Sequence, residues 1–77
     1  MAPHRVTLVR HAVERAAEHG WTTTDVTELV LRHHGERRRN SGRAQWRIAV
    51  GAVTVLYDWP DGDDQGTARV VTMWSRD

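Results

Sequence analysis

Two histidines and an arginine recur at four-residue intervals in the segment LVRHAVERAAEHGW, residues 8 to 21. If this segment is helical, His11, Arg15 and His19 follow one ridge along the edge of its apolar face. An imidazole transfers protons near neutral pH, and an arginine one turn away can hold a phosphate and stabilise developing charge. The row therefore has the residue types that metal-independent RNA cleavage needs, in which a 2′-hydroxyl attacks the neighbouring phosphate. A solvated helix edge with a capped or half-buried histidine is the alternative interpretation.

A second candidate group is basic. The segment from Arg32 to Arg47 contains six arginines and a single glutamate. Clustered arginines neutralise backbone phosphates, and an interleaved tryptophan can stack on a base. The residues predicted to bind an RNA substrate are Arg37, Arg38, Arg39, Arg43 and Trp46. Arg47 alternates with Trp46 on a predicted strand and so faces away from it. A solvated loop and an acidic protein partner are the other interpretations of this segment.

The remaining polar clusters do not predict a metal site or a cofactor. His33 and His34 are adjacent and so do not share a helix face, and the chain has no cysteine. The segment from Asp58 to Gly66 has four aspartates and no basic residue. Its spacing lacks the alternating ligands and the closing glutamate of a calcium loop. We therefore predict a solvated hairpin connector there.

Composition limits the class of protein. The chain has 77 residues and no cysteine, so we expect one domain over residues 1–77 without disulfides. A chain of this length buries only roughly 60–65% of its surface on folding, which leaves a marginal core. The sequence has no apolar run long enough for a membrane helix and no signal-peptide pattern, which predicts a cytoplasmic protein. All eleven basic residues are arginine; this suits phosphate binding, but a GC-rich genome gives the same bias.

Two helices are predicted in the first half of the chain. The segment RVTLVRHAVERAAEH has helical periodicity, with Thr7 as a candidate N-cap and Gly20 as the stop. The segment WTTTDVTELVLRHHG is the second helix; its threonine run supplies the cap, and Gly35 ends it. A short strand over Arg5–Val9 is the alternative for the first residues of the chain.

The second half of the chain has strand periodicity. RAQWRIAVG, AVTVLYDW and TARVVTMWS alternate apolar and polar residues, and Gly51 predicts a tight hairpin between the first two. The polar segment ERRRNSGR before them is predicted to be a loop. Strands in succession with short links form an antiparallel meander. The predicted fold is therefore α+β, with two N-terminal helices packed on a three-stranded antiparallel meander sheet.

Three short motifs, spread over roughly residues 7 to 74, resemble those of a known family. They are His11-Ala12-x-x-Arg15, His19-Gly20-Trp21-Thr22 and Val70-Val71-Thr72-Met73-Trp74. Together they are similar to a family of small bacterial His-Ala-x-x-Arg domains of unknown function. That family resembles the barnase–colicin–RelE-type ribonuclease toxins, including the RelE/BrnT-like group.

The resemblance implies a RelE/BrnT-like α+β domain and suggests roles for four residues. It implies that His11 is the acid/base group, that Arg15 holds the phosphate and that Thr72 lies at the active cleft. Arg47 falls where related toxins often have a basic residue on the sheet, so we expect it to join the catalytic set, although no motif fixes its position. The chain departs from the family pattern at Arg10, His19 and Trp21.

Two functions follow as predictions. The first is a small ribonuclease-type toxin that cleaves RNA, with a cognate antitoxin or immunity protein as its partner. The second is a non-catalytic module on the same fold that binds RNA or a protein through its arginines. Under a third hypothesis, the edge of the sheet pairs with a partner chain or a second copy, because a marginal core gains stability that way. The sequence leaves open whether the protein is an enzyme.

Overall fold

The computed structural model describes residues 3–59 and 66–76, and in this part of the chain two helices pack on a five-stranded sheet. The elements, in chain order, are β1 (Arg5–Leu8), α1 (Arg10–Glu18), α2 (Thr23–His33), β2 (Arg38–Arg39), β3 (Trp46–Val50), β4 (Val53–Asp58) and β5 (Thr67–Ser75). A short 3₁₀ helix over His34–Glu36 leads from α2 to β2.

The strand order is β1-β5-β4-β3-β2. The predicted meander is confirmed as the antiparallel strands β3, β4 and β5, and the α+β class is confirmed with it. The predicted three-stranded sheet was incomplete: the alternative strand over Arg5–Val9 is present as β1, and β2 adds an unpredicted strand at the other edge. β2 is a two-residue strand antiparallel to β3, and β1 is parallel to β5. The sheet is therefore mixed.

Strand β1 occupies residues that have helical periodicity in the sequence. Val6 and Leu8 lie opposite core residues of β5 and pack against the core, so tertiary pairing overrides the local pattern. Helix α1 consequently begins only at Arg10, and its N-cap is Val9, which makes no side-chain capping bond. The prediction of Thr7 as N-cap was wrong for this reason.

Helix α2 begins as its sequence predicts. The Asp25 backbone N–H donates to Thr22 Oγ1 at 3.1 Å, and the Thr22 backbone N–H donates to the Asp25 carboxylate at 2.9 Å. This reciprocal pair is a capping box, which satisfies two backbone donors that the first helical turn leaves unpaired. The helix ends at His33, two residues before the predicted stop at Gly35.

A β-bulge at Val71 changes which residues of β5 share a face. The partners of Val70 and Thr72 on β4 are consecutive residues, so Val71 is the extra residue of the pair. Val70 and Met73 are three positions apart, and both belong to the buried core. Arg69 and Thr72 therefore share the opposite face, which strict alternation along the strand would not allow.

Three aspartates of the predicted acidic connector, Asp61, Asp63 and Asp64, lie outside the described residues. Within residues 3–59 and 66–76, the structure has no helix with the length and apolar character required to span a bilayer.

Candidate nucleic-acid interface

Strand alternation defines the sheet face that neither described helix covers. Core residues such as Ile48, Val55 and Val70 point toward the helices, so their neighbours along each strand point away. We call this second surface the open face. Its described residues are Arg5, Thr7, Arg38, Arg47, Ala49, Thr54, Leu56, Asp58, Thr67, Arg69, Thr72 and Trp74. Arginines outnumber the single aspartate there, so this face is strongly positive.

Two of these arginines lie directly opposite each other. Arg38 of β2 is paired across the sheet with Arg47 of β3. Side chains at such positions are separated by about 5 Å at Cβ, and like charges there repel each other. Both side chains are exposed, and neither forms an ion pair with a described residue. An anion that contacts both guanidinium groups would remove the repulsion.

The same cross-strand row continues over the centre of the sheet. Arg47 lies opposite Leu56, and Leu56 lies opposite Thr72. Leu56 and Thr72 are each 8% exposed, so they form a nearly flat floor rather than projecting from it. Thr72 and Arg47 are two strand spacings apart, about 10 Å. The structure therefore places these two predicted catalytic residues on one face, with Leu56 between them.

The run Arg37–Arg39 is divided by the alternation of β2. The guanidinium carbons of Arg37 and Arg39 lie 4.1 and 4.7 Å from the centre of the Trp46 ring. Arg37 also donates from Nη1 to the backbone oxygen of His34 at 3.2 Å. These two arginines therefore form cation–π contacts within the protein, and only Arg38 extends from the open face.

This arrangement changes the expected role of Trp46. Its ring already contacts two guanidinium groups, so a base could stack on it only by displacing one of them or by stacking on the guanidinium. Trp74 lies on the open face instead and is 37% exposed. Thr54 lies opposite it on β4. The aromatic ring best placed to stack on a base is therefore Trp74, which the sequence analysis did not include among the site residues.

A shallow cavity marks the other side of the open face. It has a volume of about 370 Å³, and its described lining residues are Thr7, Asp58, Thr67 and Arg69. Arg69 lies between Thr7 on β1 and Asp58 on β4. Although Asp58 and Arg69 are cross-strand partners, they form no ion pair in the described structure. Arg69 is exposed and available for another partner.

Helix α1 carries the other two predicted catalytic residues on its flank. His11 and Arg15 each precede a buried alanine, Ala12 or Ala16, that faces the sheet. His11 is exposed, whereas Arg15 is partly buried and its Nη1 atom lies 3.2 Å from Glu18 Oε1. Both residues belong to α1, which with α2 covers the core face of the sheet; we call these two helices the helix layer. The structure does not bring these two α1 residues together with Arg47 and Thr72, because the sheet lies between the two pairs.

A buried polar pair joins the end of α2 to the sheet. His34 is 3% exposed, and its Nδ1 atom lies 2.7 Å from the Tyr57 hydroxyl oxygen. The imidazole also meets the Trp59 ring edge-on, with the ring centres 4.5 Å apart. Burial raises the pKa of Tyr57 from 10.0 to about 12, and the nearby Arg37 charge opposes part of this rise. Sequence analysis missed the pair, because its members are 23 positions apart in the chain.

The remaining predicted binding residue, Arg43, lies in the connection between β2 and β3 and is exposed. This connection is fixed by Asn40, whose Nδ2 atom donates to the Ala44 backbone oxygen at 3.1 Å. In the described part of the chain, no three histidine, aspartate or glutamate residues form a cluster that could hold a metal ion.

No protein family, curated protein or solved structure matches this chain. The resemblance to RelE/BrnT-like domains therefore depends on the three sequence motifs.

Proposed function

We propose that the protein binds single-stranded RNA along the open face of its sheet. The observation that carries this proposal is a face with four exposed arginines, none of which has an ion-pair partner among the described residues. Those arginines are Arg5, Arg38, Arg47 and Arg69. Arginines without internal partners can neutralise phosphates and release counterions, which gives nucleic-acid binding most of its free energy.

The positions of the arginines support a backbone that crosses the strands. Arg38 and Arg47 lie at the β2–β3 edge, and Arg69 and Arg5 lie on β5 and β1 at the far edge. From β2 to β1 is four strand spacings, roughly 19 Å. A flexible single strand can cross this distance and contact both groups with its phosphates.

Trp74 supports a single strand rather than a duplex. Bases of a single strand are free to stack on an exposed aromatic ring, whereas bases in an A-form duplex are stacked on each other. Trp74 is exposed beside Thr54 and Thr72, whose hydroxyl groups are on the same face. The open face thus combines cations, an aromatic ring and hydroxyl groups, which are the groups that bind single-stranded RNA.

Binding is better supported than cleavage. Acid/base cleavage requires a proton-transferring group beside the phosphate; among the described open-face residues there is no histidine, and Asp58 lies beside Arg69, two strand spacings from the β2 edge of the sheet. His11 and Arg15 are in the helix layer, on the other side of the sheet from Arg47 and Thr72. A cytoplasmic ribonuclease toxin with a cognate antitoxin, and an edge strand that pairs with a second copy, remain secondary proposals.

The test compares two matched double variants. Affinity for a fluorescein-labelled 12-nucleotide RNA without secondary structure is measured by anisotropy. Arg38→Gln/Arg47→Gln should weaken binding roughly tenfold or more, and the salt slope should fall by about 1.4, since two phosphate contacts are lost from a single strand. Arg10→Gln/Arg15→Gln removes the same charge from the helix layer and should change neither value appreciably. Equal losses in both variants would contradict the proposal.

The same samples test for cleavage. Gel analysis of the RNA after incubation distinguishes retention of the strand from its fragmentation. Fragments formed by the wild type and absent with His11→Ala/Arg15→Ala would support the ribonuclease-toxin proposal instead, with its site on α1. Intact RNA with saturable binding is the result that we expect.

A further inference from the structure

We propose that the cavity lined by Thr7, Asp58, Thr67 and Arg69 binds a guanine base of the RNA. This inference rests on the proposed RNA binding and adds base selectivity to it. The cavity, of about 370 Å³, lies on the open face at the side away from the Arg38–Arg47 pair. Its volume is at the small end of the range for ligand pockets.

Asp58 indicates the kind of group that the cavity accepts. It is the one carboxylate among the described open-face residues, and a carboxylate repels phosphate. An ionised aspartate only accepts hydrogen bonds, so its ligand must donate them. Within RNA, hydrogen-bond donors of this kind are found on the edges of the bases and on the ribose hydroxyl. The cavity is therefore suited to a base rather than to a phosphate.

The Asp58 carboxylate is held in a fixed orientation. Its Oδ1 atom accepts a hydrogen bond from the Gln45 backbone N–H at 2.9 Å, and Gln45 Oε1 accepts one from the Trp59 backbone N–H at 2.8 Å. These bonds connect the strand ends of β3 and β4. No described bond uses Asp58 Oδ2, so that oxygen can accept a hydrogen bond from a ligand. A fixed acceptor loses little entropy on binding, which favours selectivity.

Arg69 supplies the complementary donors. It lies opposite Asp58 on β5, is exposed and forms no ion pair with it. A guanidinium group can donate two hydrogen bonds to O6 and N7 of guanine. Guanine also carries N–H donors at N1 and N2, the groups that an aspartate oxygen accepts. Adenine has no N2 amino group and has a donor in place of O6, so it would present mismatched groups to both side chains.

The experiment uses four RNA nonamers, one of uridine only and three with a single central guanosine, inosine or adenosine. Inosine differs from guanosine only in lacking the N2 amino group, so it isolates one donor. We expect the wild type to bind the guanosine probe roughly tenfold or more tightly than the adenosine probe. The affinity for the inosine probe should lie between the affinities for these two probes.

Asp58→Asn tests the carboxylate without a change of shape. Asparagine keeps a carbonyl oxygen for the Gln45 N–H, but it replaces the second oxygen with a donor. This variant should bind guanosine and inosine probes equally. Glu28→Gln is the matched control, because it removes the same charge from an exposed position on α2, and it should keep the preference.

The outcomes separate this inference from the proposed function. Equal binding of all four probes by the wild type overturns the guanine site but leaves RNA binding intact. Binding of none of the probes overturns both. A guanosine preference that survives Asp58→Asn overturns the assignment of the site to this cavity. The wild-type comparison needs no variant, so poor folding of Asp58→Asn would still leave the proposal falsifiable.

Discussion

The helix layer and the open face of the sheet both carry many charges, but they neutralise them differently. In helix α1, both arginines have a glutamate partner on the same helix. Arg10 pairs with Glu14 at 3.4 Å, and Arg15 pairs with Glu18 at 3.2 Å. On the open face, four exposed arginines have no such partner among the described residues. Since exposed ion pairs stabilise a protein only slightly, the difference matters for where an external anion can bind.

This difference has a geometric origin. A helix places residues i and i+4 side by side, so one short segment can provide both charges of a pair. Neighbours on a sheet come from different segments of the chain, and here the neighbour of Arg47 is a second arginine, Arg38. Repulsion between them costs free energy in the unbound protein. We infer that the open face retains this unfavourable pair because a ligand phosphate neutralises it.

The largest effect that we expect comes from reversing charge on the open face. Arg38→Glu/Arg47→Glu should weaken RNA binding by roughly a hundredfold or more, since two phosphate contacts become two repulsions. Arg10→Glu/Arg15→Glu makes the same change in net charge on the helix layer. Filter binding at a fixed salt concentration measures both. If both variants lose affinity equally, net charge alone governs binding, and RNA does not prefer the open face to the helix layer.

The second prediction concerns the buried pair where the two layers meet. The pKa of Tyr57 is raised to about 12, whereas an unfolded tyrosine ionises near 10. The folded protein therefore holds the phenol proton at pH values where the unfolded chain has lost it. The free energy of unfolding should fall as the pH rises from 10 to 12, by about 3 kcal/mol in total.

Urea unfolding at pH 9.5 and 11.5 should show about 2 kcal/mol of this loss, because the folded tyrosine is still mostly protonated at the higher pH. The chain has one tyrosine, no cysteine and no lysine, so no other side chain should titrate in this window. Tyr57→Phe serves as the control and should show almost no change between the two pH values. A fall of the same size in wild type and variant would exclude Tyr57 as its cause.

The third prediction separates the roles of two tryptophans. Trp74→Ala should weaken RNA binding by roughly 1–3 kcal/mol, the usual value for a stacked base, because Trp74 is 37% exposed on the open face. Trp46→Ala removes a ring that contacts Arg37 and Arg39, so it should mainly lower the thermal unfolding temperature. Anisotropy and thermal melts of both variants measure the two effects. Loss of RNA binding by Trp46→Ala but not by Trp74→Ala would show that the base stacks on Trp46.

The smallest effect that we expect is on the free energy of unfolding, which loss of one arginine should raise on the open face and lower in the helix layer. Arg47→Gln should stabilise the unbound protein by roughly 0.2–1 kcal/mol, because it removes the repulsion from Arg38. Arg15→Gln should destabilise it by about 0.3 kcal/mol, because it removes an i,i+3 ion pair with Glu18 and a cation from the last turn of α1. Chemical denaturation at low ionic strength resolves the difference. Destabilisation by Arg47→Gln would show that Arg38 and Arg47 do not repel each other appreciably.

Local features of the fold could be predicted from sequence. The threonine run supplies the cap of α2 as predicted, and Thr22 forms a capping box with Asp25, since both partners lie within one turn. Gly51, with a φ of 59°, occupies the first position of the two-residue turn between β3 and β4. The alternation from Trp46 to Val50 correctly placed Arg47 away from the core. Each of these depends on residues that are close in sequence.

Contacts between distant segments could not be predicted in this way. The sequence left residues 5–8 open between helix and strand, and pairing with β5 decides in favour of the strand. The segment before β3 gave no strand signal, yet its Arg38–Arg39 pair extends the sheet. The separation of His11 and Arg15 from Arg47 and Thr72 follows from layer packing, which helical spacing does not encode.

The sequence by itself determined the cap of α2, the hairpin turn and the types of charged residue available. The tertiary structure alone decided which of those charges share a surface. The bulge at Val71 shows why: one extra residue places Arg69 and Thr72 on the same face, although their spacing along the strand predicts opposite faces. Local rules depend on neighbouring residues, whereas the composition of the open face depends on the register between strands. That register is fixed by packing of the whole core.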